Sequence, residues 1–120
     1  MTNVFVDEAL RAEEHPGIVF RPGPTGRRAG LAGGPDVWEV IDTLHATRSD
    51  EPELAEDALV GATAEALGLA RRTVWVAVRY YAAYRDEVDE RIAANREAAD
   101  EAEAAWLAER ELLQPRSRAS

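Results

Sequence analysis

Thirty consecutive residues, 84–113, contain neither glycine nor proline and consist mostly of Ala, Glu and Arg. Such a run predicts one unbroken helix. Fully wound it reaches roughly 45 Å, more than a small domain can cover, so part of it must protrude or lie on something. Pro115 and the tail 116–120 end it. Its apolar residues are sparse: Val88, Ile92, Ala99, Ala102 and Trp106, then Leu107, Leu112 and Leu113. Positions 88, 92, 95, 99, 102, 106, 109 and 113 alternate by four and three, but Asn95 and Glu109 interrupt the stripe and alanines fill its middle. That is thin for a self-sufficient coiled coil. It suits an amphipathic helix folded into a partner's groove, with Trp106 and the neighbouring leucines as anchors. The alternative is packing on its own domain or on a dimer mate. A merely solvated helix leaves Trp106 beside Leu107 unexplained.

The preceding segment, residues 59–83, reads as an Ala-rich helix, an abrupt Gly68-Leu69 turn and a second helix opening on Arg71 and Arg72. A helix pair held this way can project its second member, as a reader of the DNA major groove must. Val74, Ala77, Val78 and Tyr81 fall on the i, i+3, i+4, i+7 spacing and are expected to face the core. The opposite stripe is Arg72, Trp75, Val76 and Arg79. Arg71 suits phosphate, Arg72 and Arg79 suit phosphate or guanine, and Thr73 stands beside them. Trp75 and Val76 meet either thymine methyls or a dimer interface.

Towards the N-terminus, residues 3–14 suggest one or two amphipathic turns, with Val4, Phe5, Val6 and Leu10 as the apolar members, stopped by His15-Pro16-Gly17. Residues 17–21 read as a strand, 22–26 as a turn and 27–31 as a returning strand. A pair this short is marginal alone, and a second copy is the simplest way to satisfy its edges, so the hairpin is a candidate dimerisation element. Pro35 and Asp36 open a helix in which Val37, Val40, Ile41 and Leu44 form one stripe and Trp38 closes the core. After the Ser49-Asp50-Glu51-Pro52 turn, Leu54, Ala58, Leu59, Ala62, Ala66 and Leu67 supply the next stripe, with Gly61 a place to bend. The organisation is therefore mainly α. Residues 1–34 are an N-terminal segment and β hairpin, 35–83 a helix-turn-helix bundle, and 84–120 an extended helix and tail.

The charge is spread as well as negative. Residues 1–82 carry 8 arginines against 13 acids and 83–120 carry 6 against 10, within a total of −9. Duplex DNA repels such a chain at long range, so binding must come from local arginine clusters and two copies acting together. With no cysteine, disulfides, thiolate catalysis and cysteine-ligated zinc are excluded. No apolar run approaches a membrane span, and the start lacks the order of an export signal, so a cytoplasmic protein is expected. The glycine-rich segment 23–35 has no Gly-Lys-Ser/Thr ending, and the chain has no lysine. Its glycines read as turn residues, while Arg27 and Arg28 remain candidates for backbone phosphate. His15 and His45 lack partners at metal-ligand spacing, and the paired acids at 86–87 and 89–90 read as solvated charges. No cofactor, metal, small-molecule substrate or catalytic residue is expected.

The runs HPGIVFRPGPTGRRAGLAGGPDVWEVIDTL and ARRTVWVAVRYYAAYRDEVDERI, with a helix between, resemble a compact bacterial antitoxin family. It is the domain-of-unknown-function family numbered four hundred and thirty-three, grouped with VapB-type antitoxins. The resemblance covers roughly residues 15–92. Gly26-Arg27-Arg28-Ala29-Gly30-Leu31 stands where the family carries a Gly-Thr-Arg-Ile-like segment. The resemblance implies a short hairpin, a homeodomain-like three-helix bundle, a homodimer that binds operator DNA, and a PIN-like ribonuclease toxin as partner. On that basis Arg71, Arg72, Thr73, Arg79, Arg27 and Arg28 are expected at DNA. Val88, Ile92, Ala99, Trp106, Leu107, Arg110, Leu112 and Leu113 are expected at the toxin. Such nucleases gather carboxylates around Mg²⁺, and Arg110, Arg116 and Arg118 are candidates to enter that cluster. The competing expectation is a dimeric interaction adaptor without DNA binding.

Overall fold

The computed structural model describes residues 4–23 and 26–116, with side chains from Asp7 onward. In chain order the elements are α1 (Val4–Glu14), β1 (Ile18–Gly23), β2 (Gly26–Leu31), α2 (Val37–Asp50), α3 (Glu56–Leu67), α4 (Arg71–Ala83) and α5 (Arg85–Leu113). The chain is mainly α, with one antiparallel hairpin near its N-terminus and a long C-terminal helix.

Helices α2, α3 and α4 pack on one another in a three-helix bundle. One apolar core runs through the whole body. Ile18 and Leu31 enter it from the hairpin, Val37, Val40 and Ile41 from α2, Val60 and Ala64 from α3, Val74, Ala77 and Tyr80 from α4, and Val88 and Ile92 from α5. The segments expected to begin at 35 and 84 therefore share this core with the hairpin and with the first two turns of α5. Beyond Ile92 every described residue of the helix is exposed. The radius of gyration, 18.9 Å, exceeds the roughly 14 Å of a compact chain of this length, and the excess is this overhang.

The hairpin register runs from Ile18 opposite Leu31 to Gly23 opposite Gly26, so both strands reach further into the expected turn than periodicity suggested. Pro24 and Thr25 lie outside the described residues. Arg21 and Arg28 face each other across the strands, and both hold the Asp36 carboxylate just ahead of α2. Asp36 is 5% exposed and makes no capping bond. Its charge is spent on the hairpin instead, so the helix start also locks the strands to α2. We expect Asp36→Ala to cost about 2–3 kcal/mol in urea unfolding, because it strands two arginines that are only partly open to water. A loss within 0.5 kcal/mol would show the clamp to be dispensable.

Three side-chain assignments shift. In α3 the buried face is Leu59, Val60, Thr63 and Ala64, while Ala58 and Ala66 are exposed; the helix begins only at Glu56, which turns the stripe. In α4 Tyr80 is fully buried, and Tyr81 is only partly so. Leu10 of α1 is 53% exposed, and the side chains of Val4, Phe5 and Val6 lie outside those described. Nor does Gly61 break α3. An added Cβ there would come within 2.6 Å of the Arg71 guanidinium, so this glycine admits a close approach and not a bend.

Tyr80 joins three helices. Its hydroxyl donates to Glu87 Oε2 of α5 at 2.7 Å and accepts from Arg11 Nη1 of α1 at 3.0 Å. Arg11 also pairs with Glu87 and Asp7 and lies 4.0 Å from the Tyr84 ring centroid, and the His15 ring meets Tyr80 edge-on. These partners turn the expected weak N-terminal turns into an eleven-residue helix. On the other side of α5, Arg96 pairs with Asp42 of α2 at 2.8 Å.

Candidate nucleic-acid interface and partner-binding helix

The turn between α3 and α4 follows from one residue. Gly68 takes a left-handed conformation (φ 67°, ψ 34°), where a Cβ costs energy, and its N–H donates to Glu65 O while Leu69 N–H donates back to Ala64 O. This double closure ends α3 and redirects the chain into α4 within three residues. Ala70 precedes α4 without a side-chain cap, so the helix opens on Arg71 and Arg72 with its positive end uncovered.

Arg72 and Arg79 are exposed and seven residues apart, nearly two turns, so they share one face of α4. Arg79 lies over the Trp75 ring at 5.7 Å. Arg71 is exposed too, but its guanidinium rests along α3 at Gly61. Thr73 is half-buried, with its N–H donating to Ala70 O. Trp75 and Val76 are half-buried against the chain's own core, and Val76 packs at Gly17.

Arg27 and Arg28 are elsewhere. Arg27 Nε is held by Glu8 Oε2 of α1 at 2.6 Å, and Arg28 is held by Asp36 and reaches Pro22 O. Together they border a cleft of about 270 Å³ between hairpin, α2 and α5, along with Trp38, Val88, Arg91 and Ala94. Both are expected at backbone phosphate; in the structure Arg27 pairs with Glu8 and Arg28 with Asp36, contacts that tie the hairpin to α1 and to the start of α2.

The expected toxin-facing set divides sharply. Val88 and Ile92 are 4% and 5% exposed and belong to the chain's own core, because α5 lies across α2 and α4 for its first turns. They are withdrawn from any partner surface. The distal members stand free of the body: Trp106 is 56% exposed, Leu107 52%, Leu112 83% and Leu113 68%, and Ala99 is exposed as well. Arg110 lies over the Trp106 ring at 5.8 Å, Arg116 is exposed, and Arg118 falls outside the described residues.

Among the described residues no group of three or more His, Asp or Glu is placed to hold a metal ion, and no helix is long and apolar enough to cross a membrane. Sequence reasoning missed the Arg11, Tyr80 and Glu87 cluster. A buried tyrosine needs a polar partner, but both partners come from other elements and no local spacing marks them. Set against protein-family models, curated proteins and solved structures, the chain matches none.

Proposed function

We propose that this chain is an antitoxin-like regulator: the overhanging half of α5 captures a nuclease toxin, and the α3-turn-α4 pair, doubled in a homodimer, binds operator DNA. The observation that carries the first half is the pair Trp106 and Leu113 on one face of the distal half of α5, with Leu107 and Leu112 to either side, four large apolar side chains at least half exposed where no described residue of another element covers them. Such a patch marks a protein interaction site. The resemblance of residues 15–92 to VapB-type antitoxins names the kind of partner. Supporting the second half are the uncapped start of α4 and the exposed arginine pair on its outer face.

The DNA half is tested by Arg72→Ala with Arg79→Ala. Removing two phosphate or base contacts per protomer is expected to weaken operator binding by at least about tenfold and to flatten its salt dependence, with helicity unchanged. Equal gel shifts by both proteins reject the assignment. A second reading, a dimeric adaptor that binds no DNA, is favoured by the net charge of −9 and by the commitment of Arg27 and Arg28 to internal carboxylates. It predicts no duplex binding even at low salt. The toxin half is tested by co-expression with a nuclease encoded by an adjoining gene, whose activity the chain is expected to suppress.

A further inference from the structure

The stripe that α5 seals against its own body continues past it. Trp106 follows Val88 by eighteen residues, five turns at 3.6 residues each, so the two lie on one line along the helix, with Ile92, Ala99 and Leu113 close beside it. The first part of that line is buried and the rest is uncovered. Glu103 and Glu109 stand three residues before and after Trp106 and therefore flank it on the same face. Over residues 97–113 there are six acids and one arginine, a net of −5, all of them exposed.

This combination selects the occupant. A nucleic acid carries the same sign and is repelled. A second rod brings another −5 alongside the first, and the alanines between Ile92 and Trp106 offer little contact area to offset that repulsion. An apolar trough rimmed by lysine and arginine matches both the stripe and its charge. We propose that the distal half of α5 seats the line from Trp106 to Leu113 in a cationic, apolar-floored cleft of a different protein. Only the identity of that protein rests on the antitoxin reading. A ribonuclease holds its polyanionic substrate in a basic cleft, so the rod blocks the substrate channel as a polyanion does, and its glutamates matter more than its arginines.

The test uses the full chain and a fluorescein-labelled helical peptide of leucine and lysine in heptad alternation, followed by anisotropy. Saturable binding is expected that weakens steeply towards about 0.5 M salt. The pair Trp106→Ala, Leu113→Ala and the pair Glu103→Lys, Glu109→Lys are each expected to bind at least about tenfold more weakly. Alanine and lysine are good helix formers at these exposed positions, so unchanged circular dichroism accompanies both. A peptide with glutamate in place of lysine is expected not to compete. Equal binding by the glutamate peptide, or undiminished binding by either variant, overturns the proposal. Self-association abolished by Trp106→Ala overturns it too, by assigning the rod to a second copy. Failure of the antitoxin reading shows separately, as lysine-peptide binding without suppression of the neighbouring nuclease.

Discussion

Replacing Tyr80 by alanine is expected to destabilise the protein by about 3–5 kcal/mol, enough to unfold much of a small domain at 37 °C. The ring is fully buried at the meeting point of α1, α4 and α5, and its loss leaves a cavity together with an Arg11 and Glu87 pair deprived of their shared hydroxyl. Tyr80→Phe separates the two contributions. It keeps the packing, and a loss of about 1–2 kcal/mol is expected from the hydroxyl alone. The same site makes an alkaline prediction. Burial, and then the hydrogen bond with Glu87, hold the phenol well above its ordinary value of 10.0. A group whose folded value is raised stabilises fully below its unfolded value, so stability is expected to be intact up to about pH 10 and to fall above it. Denaturant melts from pH 8 to 11 check this, and Tyr80→Phe is expected to lose less across that interval. Equal slopes for the two proteins would remove Tyr80 as the cause.

Trp106→Ala is expected to do the opposite. It leaves the melting temperature within about 1 °C, because more than half of the side chain is in water and no other element of the chain packs on it. If the proposed reading holds, suppression of a partner nuclease is expected to fall by thirtyfold or more, the loss of about 2 kcal/mol or above that follows when a central aromatic anchor is truncated. Inhibition titrations alongside thermal melts give both numbers. A variant that inhibits normally shows that the partner uses some other surface, and one that melts early shows that the rod folds back on its own body.

Features set by neighbouring residues were legible before the structure. Gly68 announces the turn because a left-handed residue is needed there, Pro35 and Asp36 mark the start of α2, and the lack of Gly and Pro after Tyr84 keeps α5 whole. Features set at a distance were not. Tyr80 and Tyr81 satisfy helical spacing almost equally, and the choice is made by Arg11, 69 positions away, and by Glu87. Arg27 and Arg28 looked free because Glu8 and Asp36 reach them only once the hairpin folds between α1 and α2. Val88 and Ile92 sit on the same stripe as Trp106, and no local pattern says where the body stops covering it.

The way α5 is fastened also decides how quickly a visitor can engage it. Starting a helix is the slow and unfavourable event, since several residues must be ordered before the first internal bond forms. Here Val88, Ile92 and the Arg96 to Asp42 pair weld the opening turns to the body, so the bare remainder has only to extend a winding already begun. On the proposed reading, an arriving protein meets a segment already wound, and association is spared the ordering delay that a loose tail of the same sequence would impose.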